Sequence, residues 1–555
     1  MQKQGGFKSI IQRAKGNPSA TALVFSMLLA GAESFVFNQN YYLFFLDVSI
    51  LSIGGLRSVF LILFAFGALV FFVRSMLVSS FRWRCFYFGV FALALSIEYG
   101  FHGALGRFTQ PGDLENAFYA SDASDKFGAM TLFFSWRIAA PLVAFRLLFA
   151  VAETGAKRGA GLFVLNLLIL FAGFGFAADF YRPAAPMSAF AAHFNNLSVS
   201  TLYFAGQKHA RTRREGVAPV ADVAPANNIV FIVDESVRAD HLSVNGYARD
   251  TTPTLRRLRD ENELKSWGTA AAGATESVTS NRLLLTGLSE LPDRGDRLKT
   301  MPTIFQYARA AGYRTFYFDG QGYSDWIGSV TDREDFGQIH TPADFPKTAP
   351  YDLDCAFAAK INEITRNSKG NFIWVNKRGV HFRYEKNYPA ERARWTPTDA
   401  ATDEAGAEND RPLENNYDNA VLYNSESFFG TLAEGDLPPA TIFVYTSDHG
   451  QTLRRNRATH AGDSKPEALV PLLMFGADAR LATADAEFKA AHRNVFATLL
   501  DLMNYPKELR VHDYAPSLFA APNAAATAPR TFFVGNPSGA FGGRKILFDE
   551  IVPQN

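Results

Sequence analysis

Two hydrophobic patterns divide the chain. Before about residue 180 the apolar residues come in long, nearly unbroken runs rich in Phe; after about 205 they come in short runs closed by polar residues. Five long runs can be marked, at 19–37, 58–73, 85–97, 128–150 and 160–178. Most approach the roughly twenty residues that a helix needs to cross a hydrocarbon core. The third is short as drawn, with room to run on towards Leu105. The first short run, 227–236, is β-branched and aromatic until Asp234 and Glu235 end it. Others at 315–318, 372–375, 441–445 and 469–475 repeat the pattern, and stretches of helical character lie between them, for example 303–311, 417–433 and 494–503. Apolar runs of this length read as strands buried on both faces, and their alternation with helices predicts an α/β fold with a mostly parallel sheet sandwiched by helices. An all-α domain of five transmembrane helices precedes it.

Charge gives the long runs a direction. The N-terminus carries Lys3, Lys8, Arg13 and Lys15, one turn holds Arg74, Arg82 and Arg84, and another holds Arg146, Lys157 and Arg158. Basic turns stay in the cytoplasm, and the connection from about 98 to 127 is acidic instead. Five crossings from an inside start leave everything after residue 180 outside, which in a bacterium is the periplasm. The first run is too long, and too poor in a small-residue cleavage site, for a removable signal peptide. The expected organisation is therefore a transmembrane domain at 1–180, an interfacial linker at 181–226 and a periplasmic catalytic domain at 227–555. Glu33, Glu98 and Arg137 fall in or near the spans, where a charge needs a partner or the headgroup level. A net charge of +1 over 555 residues, with no basic block, gives no argument for a nucleic-acid partner. Cys85 and Cys355 are the only cysteines, one in each half, so a disulfide framework is excluded.

Candidate chemistry gathers at the ends of the short runs. The run at 227–236 ends in Asp234 and Glu235, that at 372–375 in Asn376, Lys377 and Arg378 before His381, and that at 441–445 leads into Asp448-His449-Gly450. Open α/β sheets bind ligands beyond the carboxyl ends of their strands. Glu235, Asp448 and His449 offer mixed oxygen and nitrogen donors suited to Zn²⁺, with Mn²⁺ the less suited ion. His460 and His381 are candidates for a second metal or for an oxyanion. Hydroxyls at 273–282, ahead of a Leu-rich helical stretch, supply candidate nucleophiles.

These residues resemble a family. The stretch 234–253, Asp-Glu-Ser-Val-Arg-Ala-Asp-His-Leu-Ser-Val-Asn-Gly-Tyr-Ala-Arg-Asp-Thr-Thr-Pro, looks like that of lipid A-type phosphoethanolamine transferases, membrane enzymes of the alkaline phosphatase superfamily. Gly-Ala-Thr-Glu-Ser (273–277), Tyr-Asp-Asn-Ala-Val-Leu (417–422), Ser-Asp-His-Gly (447–450), Thr-His-Ala-Gly (459–462) and His-Arg-Asn-Val-Phe (492–496) match in order and spacing. The resemblance implies an alkaline-phosphatase-like sheet, Thr275 as nucleophile, and Glu235, Thr275, Asp448 and His449 around Zn²⁺. It places His381 and His460 by the phosphate or a second zinc, with Lys377 and Arg378 nearby. Asn116 aligns with a donor-headgroup contact and Ser324 is a further headgroup candidate, while two polar family positions fall on Ala120 and Ser124. The family's disulfides are absent, and Gly-Ala stands where it has Cys-Gly. A competing register matches 277–287 to the sulfatase segment and makes Ser277 the nucleophile. Thr275 is preferred, because the Pro-Ser-Arg context that modification of a sulfatase residue requires is missing after Ser277.

What the resemblance implies is transfer of phosphoethanolamine from phosphatidylethanolamine to lipid A, a core sugar or a periplasmic glycan, through a covalent phospho-enzyme at the inner membrane. Three readings compete with it: a phosphoglycerol transferase of the lipoteichoic-acid-synthase type, a sulfatase or phosphodiesterase, and a lipid-binding pseudoenzyme. The last residues, 531–555, read as a short β extension without an assigned role.

Overall fold

The computed structural model describes residues 12, 14–37, 53–105, 108–109, 138–152, 159–177, 188–207, 214–220, 224–289, 296–321, 336–398, 410–453, 460, 462–485, 487–520, 529–534 and 544–551. The chain forms two compact units, Met1–Ala210 and Arg211–Asn555.

The first unit is helical. Its helices are α1 (Pro18–Phe37), α2 (Ile53–Leu77), α3 (Phe81–Leu105), α4 (Ala139–Leu147), α5 (Ala160–Ala177) and α6 (Ala189–Gln207). They pack through aromatic side chains: Phe91 stacks on Phe145 with ring centroids 4.3 Å apart, and Phe72 meets Phe190 at 4.7 Å. The outward faces are apolar too, with Leu28, Leu63, Phe86, Leu93, Leu147 and Leu168 exposed. A helix apolar all round has its natural place in a membrane. Among the described residues one helix, Phe81–His102, is long and apolar enough to cross a bilayer, and the apolar parts of α1, α2, α4 and α5 are shorter.

Each expected span carries helix, the fourth from Ile138 onwards, while Arg137 lies outside the described residues. The linker expected at 181–226 is different. Within it α6 buries Ala189, Phe190 and Phe194 in the aromatic core of the first unit, a helical spacing that the neighbouring prolines and basic residues mask in the sequence. Glu33 and Glu98 find donors inside the unit. Glu33 accepts from the Tyr99 hydroxyl at 2.8 Å and the Ala189 amide at 3.0 Å, and Glu98 accepts from the amide and hydroxyl of Thr109 at 2.8 and 2.6 Å.

The second unit is built on a seven-stranded sheet. Its strands are β1 (Asn228–Asp234), β2 (Leu264–Ala271), β3 (Arg314–Asp319), β4 (Gln338–His340), β5 (Asn371–Asn376), β6 (Thr441–Ser447) and β7 (Leu469–Gly476), in the order β2-β7-β6-β1-β5-β3-β4. Only β7 opposes the others; β1 pairs in parallel with β5 and β6 on either side. Every residue of β1, β5 and β6 is buried, as their unbroken apolar sequences require. The longer helices of the unit are α7 (Pro253–Asp260), α8 (Ser277–Thr286), α9 (Ile304–Ala310), α10 (Leu353–Asn367), α11 (Arg411–Leu432) and α12 (Arg493–Leu502). One face of the sheet, with Val230, Ile232, Ile373 and Phe443, packs on Phe357 of α10 and Phe428 of α11. On the other, Phe231 and Phe305 of α9 sandwich Trp374. Register places Asp234 opposite Ser447 and Val233 opposite Asn376, so β1, β5 and β6 end on one rim. Because β7 runs the other way, it meets that rim with its start, Leu469, and not with Gly476.

The C-terminal residues form a hairpin of β8 (Thr531–Val534) and β9 (Arg544–Leu547). Strand β8 does not join the main sheet. It lies along the segment before α8, where the Phe533 amide donates to Gly273 at 2.9 Å and the Thr275 amide donates to Phe533 at 3.2 Å.

Candidate active site and metal centre

Strand β1 ends in two acids that face different ways. Asp234 turns inward: its carboxylate accepts from the Lys377 ammonium at 2.6 Å, the Tyr445 hydroxyl at 3.1 Å and the Glu235 amide at 3.0 Å. Glu235 turns to the rim. The chain bends there because Ser236 takes a left-handed conformation, φ 64°, that a residue with a side chain rarely adopts. Three contacts hold that bend: the Ser236 amide donates to Asp448 at 3.0 Å, its hydroxyl to Glu235 at 2.6 Å, and its carbonyl accepts from Tyr417 at 2.8 Å. Gly379 backs it from the β5 side. A Cβ there would stand 2.4 Å from Asp234 Oδ1 and 2.8 Å from Glu235 Cβ, and its φ of +59° favours glycine as well.

Strand β6 delivers the other members. One ligand atom each from Glu235, Asp448 and His449 lies within 4.8 Å of the others, and all three residues are buried. His449 Nδ1 contacts the Gly450 carbonyl at 2.7 Å. A carbonyl only accepts, so Nδ1 carries the proton and Nε2 turns its lone pair to the two carboxylates, the orientation of a metal-ligating histidine. Burial, and then the neighbouring charge of Glu235, push the Asp448 carboxyl up to about 7. Burial opposes charge on His449 too, but Asp448 and Glu235 outweigh it and raise its pKa. Asp448 Oδ2 is buried with no hydrogen-bond partner among the described residues. Two crowded carboxylates, an imidazole lone pair and an unsatisfied oxygen fit a divalent cation, which removes the repulsion and supplies the missing partner.

Of the two expected nucleophiles, Thr275 and Ser277, it is Ser277 whose hydroxyl reaches this cluster. Its Oγ lies 3.3 Å from Glu235 Oε2 and 3.2 Å from His449 Nε2, and the side chain is part-exposed at the first position of α8. Thr275, the expected nucleophile and ligand, is fully buried, and its hydroxyl donates to the Gly462 carbonyl at 2.8 Å. The reason is local. With its amide on β8 and its hydroxyl on Gly462, Thr275 is part of the wall, and the chain first turns to the rim where α8 begins. This position of Ser277 favours the competing register over the preferred Thr275.

The other expected residues separate. The His460 ring stacks on His449, with centroids 4.6 Å apart, and so stands beside the cluster. His381 is exposed, with Nδ1 2.6 Å from the carbonyl of its neighbour Phe382. Lys377, expected at the substrate, lies behind the rim. It is fully buried, paired with Asp234 and Asn424, with its ammonium 4.7 Å from the Phe428 ring centroid. Its work is to neutralise Asp234 behind the rim. Asn116 and Ser324, and with them Ala120 and Ser124, lie outside the described residues.

Sequence reasoning missed two contributors. Gln321, just past the end of β3, donates to Glu235 Oε2 at 2.8 Å and to the Lys377 carbonyl at 3.1 Å. Its position in Asp319-Gly320-Gln321, at a strand end like the others, was the available signal. Glu467, ahead of β7, binds the loop that bears His460: its carboxylate accepts from Thr452 at 2.8 Å, Ser464 at 2.7 Å and the Gly462 amide at 2.5 Å.

Known proteins share this architecture. The integral membrane protein lipooligosaccharide phosphoethanolamine transferase A (EptA) from Neisseria meningitidis superposes over 88% of this chain and 97% of its own, with a TM-score of 0.57 at 16% identity. The likeness establishes a common, alkaline-phosphatase-like fold. Kdo(2)-lipid A phosphoethanolamine 7''-transferase of Salmonella typhimurium is 25% identical over 300 residues, 50% of this chain and 51% of that protein. This chain thus spans about half the length of that relative. Phosphatidylethanolamine transferase Mcr-2 of Escherichia coli is 23% identical over 433 residues, 70% of this chain and 78% of that protein. The family described as Sulfatase matches residues 227–505, half of the chain and the whole of the sheet with its rim, and the protein is a member of the sulfatase family.

Proposed function

We propose that this protein transfers phosphoethanolamine from phosphatidylethanolamine to a glycolipid or glycan, with Ser277 as the nucleophile. The observation that carries the reading is the position of Ser277 Oγ, between Glu235 and His449 at 3.3 and 3.2 Å. The names of the related transferases support the transferred group, and the apolar exterior of the first unit suits a lipid donor.

Glu235, Asp448 and His449 would hold the cation, and their N/O set suits Zn²⁺. Bound there, a zinc ion lowers the pKa of a coordinated oxygen towards neutrality. In the first half-reaction a bond forms between Ser277 Oγ and phosphorus while the bond from phosphorus to the diacylglycerol oxygen breaks. The proton lost by Ser277 is balanced by the one the departing diacylglycerol takes up, and His460, stacked on His449, is the group placed to carry it. Gln321 fixes the Glu235 carboxylate, and the start of α8 presents backbone N–H groups to the phosphate oxygens. In the second half-reaction an acceptor oxygen attacks phosphorus and releases Ser277. The organisation that goes with this chemistry is an inner-membrane anchor with its N-terminus in the cytoplasm and the sheet unit in the periplasm.

The test uses full-length protein in detergent with headgroup-labelled phosphatidylethanolamine, followed by peptide mass spectrometry. A phosphoethanolamine adduct on Ser277, absent from Ser277→Ala, is the expected result. Release of the headgroup to water with no adduct moves the protein to the hydrolases, and a phosphoglycerol adduct from phosphatidylglycerol moves it to the other transferase class.

A further inference from the structure

His492 immediately precedes α12, in the His-Arg-Asn-Val-Phe stretch to which no role has attached. Its ring is buried between three pieces of the site. The Gly273 amide points at Nδ1 from 3.0 Å. A backbone N–H can only donate, so Nδ1 is the bare nitrogen and the ring proton sits on Nε2. From there it is donated to Thr446 Oγ1, 3.0 Å away on β6. Ser280 of α8 closes the group, with its hydroxyl on the Asp448 carbonyl at 2.5 Å and its oxygen 3.2 Å from Nδ1. Burial pushes the ring's pKa down to about 4, so it stays neutral at physiological pH.

What the ring holds is the segment that leads to Ser277. The Gly273 carbonyl and the Thr275 amide are tied to β8, and the Thr275 hydroxyl is tied to Gly462. The Gly273 amide is the remaining polar group of that run given a side-chain partner, and the partner is His492. We propose that His492 is a positioning residue for the transfer step: by accepting the Gly273 amide through Nδ1, its neutral ring sets the loop that delivers Ser277 to Glu235 and His449. The role rests on Ser277 being the nucleophile.

Three variants of the full-length protein separate this role from simple filling of space. In His492→Asn the amide oxygen falls near the place of Nδ1 and keeps an acceptor for Gly273. In His492→Gln the polar end reaches only towards the place of Nε2, and His492→Ala keeps neither. The expected result is a roughly tenfold or greater slowing of Ser277 adduct formation in His492→Gln and His492→Ala, with donor KM and bound metal unchanged and most of the rate restored in His492→Asn. Hydrogen exchange at Gly273 should quicken in the same two variants and not in His492→Asn. Equal losses in the Asn and Gln variants, or unaltered exchange at Gly273 in His492→Gln, would overturn the proposal. Absence of any adduct in the natural protein would count against the transferase reading, while the exchange comparison would still decide the place of His492. Nitrogen NMR of the unaltered protein gives a check free of folding effects: a protonated Nδ1 rules the role out.

Discussion

Ser277 Oγ stands 3.2 Å from His449 Nε2, while the Thr275 hydroxyl is spent on the Gly462 carbonyl at 2.8 Å. The two side chains therefore respond differently to substitution. Ser277→Ala should lower transfer by about a thousandfold or more, as loss of an attacking oxygen does. Thr275→Ser keeps a hydroxyl for Gly462 and should leave the labelled site on Ser277. Peptide mapping of the adduct checks both, and a label on Thr275 would reverse the assignment.

Asp448 and Glu235 repel one another until a cation lies between them. Asp448→Asn should therefore raise the melting temperature of chelator-treated protein by roughly 2 °C, and should abolish the further stabilisation that added zinc gives the natural protein. Thermal melts with and without metal, beside metal analysis of the purified protein, measure the two effects. A variant that binds zinc as tightly as the natural protein would exclude Asp448 as a ligand.

Lys377 neutralises Asp234 where water does not reach. Its replacement by Met should cost about 3–5 kcal/mol, the usual consequence of leaving one buried charge without its partner. The double change Lys377→Met with Asp234→Asn should recover part of that loss, because no charge then stays uncompensated. Donor KM should not move in whatever fraction stays folded. A large KM change with intact stability would mean that the lysine meets substrate after all.

Glu467 lies buried beside Gly462 and Ser464, and burial raises its pKa above the ordinary carboxylate value. A raised carboxyl holds its proton more tightly in the folded state. Its contribution to stability is thus complete below the unfolded pKa and is lost as pH rises through the folded value. Glu467→Gln should flatten this dependence, narrowing the fall in melting temperature between pH 5 and pH 8 by roughly 2 °C. Parallel melts across that range test the sign: a steeper fall in the variant would contradict it.

Much of the second unit can be read from the chain because its local signals agree. The apolar sequences of β1, β5 and β6 leave no choice but burial on both faces, and their parallel pairing then brings Glu235 to the same rim as Asp448 and His449. Side-chain direction at that rim is another matter. Thr275 and Ser277 differ by a small step across a loop-to-helix boundary, and which of them faces inward is decided by β8, hundreds of residues away. Lys377 follows the same logic: its destination depends on Asp234 and Asn424, which share no local pattern with it. The helix α6 was hidden for a different reason, since its short apolar repeat sits between prolines and a basic cluster that favour an extended surface path.

Strand β8 has a consequence for how the protein comes into being. Translation supplies Ser277, the two acids and the imidazole long before it supplies Phe533, whose backbone holds the loop ahead of that serine. A growing chain can own every reactive group and still lack a finished centre. Removing Phe533 should therefore loosen the loop ahead of Ser277 while every group of the cluster is still in place.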